Sequence, residues 1–361
     1  VETVSELLRA AAALKEPVLL HLNTVKGKGF APAEKTPQNF HGVGRFDPVS
    51  GRPASAKAPT FATAFGAELT RLAETDTRIC AITAAMRQGV GLDAFSEAHP
   101  ARYFDVGIAE GHAVTMAGGL AAQGMIPVVA VYSTFLQRAY DMLLHDVALM
   151  KLHVVLAVDH TGLVGADGET HHGAFDVGFL RQIPGMTVFC PANFAELRAM
   201  LRKAVWETSG PVAIRYPTGS EGRYTACTDA PLLREGTDCT LVTYGTLVNA
   251  ALGAAELCEK RGISVEIVKL PRIAPLDMQP VLESVKKTGR ILAAEETEDM
   301  GCVAADIFAA LEEGGIRAVC ARANLGCGFQ PHGSIPELLH RAGLDAEGLF
   351  QKILEVVERE K

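Results

Sequence analysis

Hydrophobic positions along this chain switch repeatedly between two spacings. Short runs rich in Val, Ile and Ala at 78–83, 103–106, 126–132, 153–159, 187–190 and 212–215 predict buried strands. Between them, apolar residues recur every three to four positions, which predicts helices over 60–74, from 109, over 136–151 and over 194–207. A second series follows, with strands predicted at 240–244, 264–269, 290–294 and 317–322 and helices at 248–260, 278–288, 303–313 and 346–358. Strands that alternate with helices form mostly parallel sheets covered on both faces. The expected fold class is therefore α/β, as two tandem domains.

Before the first series, 3–14 reads as a helix, 17–24 as a strand and 26–29 as a basic glycine-rich turn. That is one α/β unit, too small to stand alone. Residues 43–59, with Pro48, Gly51, Pro53, Ser55 and Pro59, have linker composition, and 218–238 are polar and turn-rich. The expected organisation is 1–42, a linker at 43–59, a domain at 60–222 and another at 236–361. The chain opens on Val1, so its start is expected to lie upstream.

Composition changes this picture little. With 361 residues, 48% of them hydrophobic, the chain has the make-up of a globular protein of two domains and a fraction. A net charge of −8 argues against a nucleic-acid binder, which needs a basic stripe. Residues 113–136 carry no charge, but Gly118, Gly119, Gln123, Gly124 and Pro127 interrupt them, so a helix, a turn and a strand are read there and no membrane span. The eight cysteines form no C-x-x-C pair and no zinc spacing, which fits buried free thiols and a cytoplasmic location.

Open α/β sheets bind ligands beyond the carboxyl ends of their strands. Glu110 opens a helix there, either as a first-turn carboxylate favoured by the helix dipole or as a buried carboxylate for a ligand nitrogen. The next strand runs into Tyr132, Phe135 and Arg138, where Phe135 reads as core or site and Arg138 as surface pair or site. The loop 165–173 carries Asp167, Glu169, His171 and His172, suited to proton transfer or substrate hydrogen bonding more than to a metal. Arg215 after a further strand is an anion-binding candidate. No dinucleotide, Walker or nucleophile-elbow motif is present.

These residues carry a resemblance. Tyr103-Phe104-Asp105-Val106-Gly107-Ile108-Ala109-Glu110 resembles the pyrimidine-domain motif of the transketolase superfamily of thiamine diphosphate enzymes. The ten residues 132–141, the run Gly168-Glu169-Thr170-His171-His172-Gly173-Ala174-Phe175-Asp176, Leu144-His145-Asp146-Val147-Ala148, Lys26-Gly27-Lys28-Gly29-Phe30, Phe40-His41 and the tail 344–348 resemble its 1-deoxy-D-xylulose-5-phosphate synthase branch. The resemblance implies decarboxylation of pyruvate and condensation with D-glyceraldehyde 3-phosphate, feeding isoprenoid, thiamine and pyridoxal synthesis. It implies Glu110, His171 and His41 as catalytic residues, with Glu110, Phe30 and Phe135 at the cofactor. Tyr132, Arg138, His160, Asp167, His171 and Arg215 would line the substrate pocket.

Three positions depart from the pattern: Gly111 stands where Gln is usual, Ala84 where Pro is usual, and His160 where Arg is usual. The Gly-Asp-Gly…Asn motif that holds diphosphate and Mg2+ is also absent, so no metal ligand is expected in this chain. Residues 1–42 resemble the end of the missing diphosphate-binding domain, with 60–222 the pyrimidine-binding and 236–361 the C-terminal domain. The expectation is a C-terminal fragment of a homodimeric enzyme that needs the missing domain in cis or as a separate piece. The alternatives are the second subunit of a split transketolase, a 2-oxo-acid dehydrogenase beta subunit, or a non-catalytic paralogue.

Overall fold

A computed structural model describes residues 2–53 and 58–359 and divides the chain into two units, Val1–Ala58 and Pro59–Lys361. The expected linker thus falls partly on 54–57, outside the described residues.

In the first unit the helix is Glu2–Ala13, but 17–24 form no strand, which corrects the expectation. A strand exists only through a ladder with a neighbour. These residues have none, and Leu19 stays 94% exposed. Further on, Pro32 starts the short helix Ala31–Lys35. Gly27 (φ +83°) approaches it so closely that a Cβ would lie 2.7 Å from the Ala33 backbone. Phe30, Phe40 and Phe46 close the unit as a ring cluster with centroids 5.5–5.9 Å apart.

The second unit holds two sheets. The strands, in chain order, are β1 (Ile79–Thr83), β2 (Tyr103–Asp105), β3 (Ile126–Tyr132), β4 (Val155–Asp159), β5 (Thr187–Phe189) and β6 (Val212–Arg215). They continue with β7 (Leu232–Arg234), β8 (Cys239–Thr243), β9 (Val265–Lys269), β10 (Arg272–Ala274), β11 (Arg290–Ala294) and β12 (Val319–Ala323). The first sheet runs β10-β5-β6-β4-β3-β1-β2 and the second β12-β11-β8-β9-β7. All pairings are parallel except those of the edge strands β10 and β7. The α/β class with mostly parallel sheets is therefore observed. The two antiparallel edges are too short to show a period, and β10 belongs to the second series in sequence yet completes the sheet of the first.

Both faces of the first sheet are covered, as its parallel order requires. Ile82, Val129, Val131, Leu156 and Val158 pack on the helix Glu110–Ala122 and the segment that follows β3. On the other face, Ile79, Ala81, Val128, Ala130 and Ala157 meet Phe61, Phe65 and Leu69 of helix Phe61–Thr75 and Leu197 and Leu201 of helix Phe194–Trp206. Each such Val, Leu, Ile or Phe side chain, fully buried, contributes about 1.5–3 kcal/mol. Thr60 starts the first of these helices through a reciprocal hydrogen-bonded cap with Thr63.

One helix differs from expectation. The stretch 136–151 is broken into an α turn Ser133–Leu136, a 3-10 turn Gln137–Ala139, a turn Tyr140–Met142 and a π turn Leu143–Ala148. Close packing accounts for it. Gly118 lies so near this segment that a Cβ would come within 2.8 Å of the Asp146 carbonyl oxygen, and Thr115 Oγ1 donates to Asp146 Oδ2 at 2.5 Å. A local change of winding keeps both the approach and the bond.

Candidate active site

Four parallel strands of the first sheet end side by side, and the turns beyond them carry the chemistry. At the end of β2, Asp105 Oδ1 accepts from Ala85 N at 2.8 Å and Gly107 N at 3.0 Å. This pins the turn that leads to Glu110, and also Ala85, whose φ of +60° is unusual for a residue with a side chain.

Glu110 is the first residue of helix Glu110–Ala122 and is only 3% exposed. A carboxylate is favoured at a helix N-terminus by the unpaired N–H groups there. Its Oε1 accepts from Arg138 Nη1 at 2.7 Å, and Oε2 carries no bond to the described residues. Arg138 is 51% exposed and lies over the Phe135 ring, 4.8 Å from its centroid.

From Phe135 the rings continue without a break. Tyr132 stacks with Phe135 at 6.0 Å, His160 stacks on Tyr132 at 3.8 Å, and His171 meets Phe135 edge-on at 5.4 Å. Burial, then Asp159 and Asp167, push the Tyr132 phenol up to about 12. Thus Glu110, Tyr132, Phe135, Arg138, His160 and His171 form one connected cluster. Asp167 lies near it in the turn Gly165–Asp167, exposed to solvent.

The other candidates have partners of their own. Arg215 ends β6 inside the fold, where Nε donates to Asp176 Oδ2 at 2.8 Å and Nη2 to the carbonyl oxygen of Glu296 at 3.2 Å. Phe30 and His41 belong to the first unit, where Lys26 Nζ and His41 Nδ1 share a 2.8 Å hydrogen bond. His172 accepts from Val164 N at 3.1 Å and donates from Nε2 to Pro331 O at 3.1 Å, so it ties the loop down.

Sequence reasoning missed two carboxylates. Asp159, at the end of β4, is fully buried and its Oδ1 meets both the backbone N and Nδ1 of His160, at 2.6 and 2.9 Å. Its position as the last residue of a strand before a histidine was the available signal. Glu296 comes from beyond β11, and its Oε1 accepts from Leu163 N at 2.7 Å. Burial, opposed by that N–H, pushes it up to about 7. No sequence signal links residues so far apart.

The arrangement fits half of thiamine diphosphate. A buried carboxylate with a free oxygen suits the ring nitrogen of an aminopyrimidine, and the neighbouring Phe135 face suits its ring. For a diphosphate and its metal, no group of three or more His, Cys, Asp or Glu is gathered among the described residues.

The transketolase pyrimidine-binding domain family matches residues 57–221, and the transketolase C-terminal domain family matches 228–349. The chain belongs to the transketolase family. Within it, the chain is similar to 1-deoxy-D-xylulose-5-phosphate synthases. It is 49% identical to that of Desulforudis audaxviator over 80% of this chain and 47% of the relative. It is 45% identical to that of Syntrophotalea carbinolica over 98% of this chain and 57% of the relative. The chain thus spans about half the length of the curated relatives it matches.

Among solved structures, a split gene transketolase described as an inactive beta4 tetramer superposes with a TM-score of 0.74 at 28% identity, covering 84% of this chain and 100% of that one. The transketolase of Pichia stipitis in complex with sedoheptulose 7-phosphate has a TM-score of 0.68 at 18% identity, covering 84% of this chain and 46% of that one, and shares the fold.

Proposed function

We infer that this chain supplies the pyrimidine-binding and C-terminal domains of a 1-deoxy-D-xylulose-5-phosphate synthase, which joins pyruvate, with loss of CO2, to D-glyceraldehyde 3-phosphate. The observation that carries the reading is Glu110, a buried carboxylate paired on one oxygen only, beside an unbroken line of aromatic rings at the strand ends. Relatives of that name at 42–49% identity support it.

Thiamine diphosphate, when bound, supplies the nucleophilic carbon and takes up the electron pair that CO2 leaves. Glu110 would hold the pyrimidine nitrogen through Oε2, with Arg138 orienting the carboxylate through Oε1. Phe135 would take the ring on its face. Tyr132 and His171 would hold substrate oxygens, with His171, edge-on to Phe135, as the proton carrier on this side of the cluster. Phe30 and His41 are assigned a cofactor contact and a proton transfer. Arg215, paired with Asp176, would brace the loop beside the substrate pocket.

The diphosphate and Mg2+ are assigned to a diphosphate-binding domain, in cis or on a separate chain. The proposed assembly is a homodimer, supported by the exposed apolar side chains Ile108, Leu149 and Met150. No helix among the described residues is long and apolar enough to cross a membrane, and the proposed location is the cytoplasm.

The test combines the chain with a diphosphate-binding domain, thiamine diphosphate, Mg2+ and pyruvate, and measures CO2 release with and without D-glyceraldehyde 3-phosphate. Glu110→Ala should lower release by about 100-fold or more with the fold intact by circular dichroism. Release that does not depend on Glu110 refutes the role given to it, and no release from the unaltered chain favours a non-catalytic paralogue.

A further inference from the structure

The loop from Gly162 to Gly173 carries Asp167, Glu169 and His171. Its ends meet in two backbone bonds, Gly162 N to the Gly173 carbonyl oxygen at 2.9 Å and Gly173 N to the Gly162 carbonyl oxygen at 2.7 Å. A loop tied only at its base opens as a unit at little cost, so its place is set by what holds it from outside. From the side of the first sheet, Thr134 Oγ1 donates to the Thr170 carbonyl oxygen at 3.0 Å and Arg215 Nη2 to that of Gly173 at 3.5 Å.

The closer holds come from the C-terminal domain. Glu296 Oε1 accepts from Leu163 N at 2.7 Å. Thr297 Oγ1 and Glu298 N both donate to the Ala174 carbonyl oxygen, at 2.7 and 3.0 Å. His172 Nε2 donates to the Pro331 carbonyl oxygen at 3.1 Å. Leu163 and Ala174, 1% and 2% exposed, pack in one apolar cluster with Leu241 of β8 and Leu292 and Ala294 of β11. A loop that leaves the first sheet is thus seated at both ends in the core of the second. The backbone is shaped for this contact: Gly162 has a φ of +69°, and a Cβ there would lie 2.5 Å from the Glu296 carboxyl. None of the candidate site residues belongs to 236–361, so the second sheet reaches the site only through this loop.

We propose that the C-terminal domain works as a clasp on the site loop and that Glu296 is its positioning residue, which fixes Leu163 and through it the places of Asp167 and His171. This rests on the reading of the site above and adds what keeps its loop against the strand ends.

The clasp contains its own release. Burial, opposed by the Leu163 N–H and the Arg215 guanidinium, raises the Glu296 carboxyl from 4.5 to about 7. An open loop returns that carboxyl to water. The closed loop therefore binds more protons between pH 4.5 and 7, so opening becomes easier as pH rises through that window and stays easier above it. At a factor of ten per unit, the opening equilibrium should shift about 100-fold or more. The charged and titratable groups packed around the carboxyl are Arg215 from β6 and Asp176 from the helix Asp176–Arg181, which oppose each other. With them stand Asp159 and His160 at the end of β4, His172 from the loop, and Glu295 and Glu298 of its own segment.

The experiment is hydrogen exchange followed by mass spectrometry on the whole chain, with rates corrected for the intrinsic effect of pH. Peptides covering 162–174 should lose about 100-fold of protection or more between pH 4.5 and pH 8. Their exchange should not respond to low urea, because a local opening exposes little surface, whereas that of β3 and β4 should respond. Glu296→Gln keeps the acceptor and cannot ionise, so it should hold the low-pH protection at pH 8. Thr297→Val should lower loop protection by the same factor at both pH values. Glu296→Ala should lower it at both, and in NMR at pH 8 it should move the His171 ring signals away from the position that the Phe135 ring imposes, with Glu296→Gln leaving them there. If Glu296→Ala does not fold, the contrast of the unaltered chain with Glu296→Gln and Thr297→Val decides. Loop exchange that follows urea as β4 does, equal protection in the unaltered chain and Glu296→Gln at pH 8, or His171 signals that stay in place when the loop opens overturns the proposal. These measurements use no cofactor or substrate, so their failure is distinct from a Glu110-independent CO2 release, which refutes the parent reading.

Discussion

Glu296→Gln separates a single electrostatic cost from everything else at the junction of the C-terminal segment with the site loop. The native carboxyl accepts from Leu163 N at 2.7 Å and packs where a Cβ on Gly162 would come within 2.5 Å of it. Burial raises it from 4.5 to about 7. The folded chain therefore keeps this proton to a higher pH than the unfolded chain does. Between pH 4.5 and 7 the native state binds more protons, so its stability falls as pH rises through that window and stays reduced above it. At 1.36 kcal/mol per unit, the loss is about 3 kcal/mol. Gln keeps the Oε1 acceptor and the shape but cannot ionise. Urea unfolding at pH 4.5 and pH 8 should give near-equal stabilities at the lower pH and a variant more stable by about 3 kcal/mol at the higher, with unchanged m. A difference between the two proteins that is the same at both pH values refutes the reasoning.

Other perturbations test other parts of the structure. Lys269 is fully buried against Glu196, Tyr224 OH and the Thr228 carbonyl oxygen, so Lys269→Met leaves a buried carboxylate unpaired. Thermal unfolding should show a loss of about 3–5 kcal/mol, and adding Glu196→Gln should recover much of it. A Cβ on Gly66 would lie 1.8 Å from the Gly91 carbonyl oxygen, whereas one on Gly119 meets nothing within 4 Å. Gly66→Ala should therefore cost about 1–3 kcal/mol or more, and Gly119→Ala should gain up to about 1 kcal/mol by denaturant titration. Ile108 is 81% exposed beside Glu110, and Ile108→Arg should convert the proposed dimer to monomer by light scattering; an unchanged mass excludes that side chain from the interface.

The elements of the second unit were legible because each is long enough to show its own period. The strand 126–132, the helices 303–313 and 346–358 and the strand 290–294 were read with the bounds they have. So was the placing of Glu110, Tyr132, Phe135, Arg138 and His171 at strand ends, because a parallel sheet puts every such turn on one edge. Where reading failed, the decisive contact was remote. The run 17–24 has the composition of a strand and no ladder partner among the described residues. The stretch 136–151 has the period of a helix, but its winding answers to Gly118 and Thr115.

By itself, then, the sequence determined the α/β class, the order of the strands along the chain and the side chains gathered at their ends, since these follow from local period and composition. Only the tertiary structure decided which of those side chains are free to act. It paired Arg215 with Asp176, tied His172 to Pro331, set Asp159 behind His160 and brought Glu296 from 133 residues away onto Leu163. Those choices belong to partners distant in sequence, and charge and hydrogen bonding act through space, not along the chain.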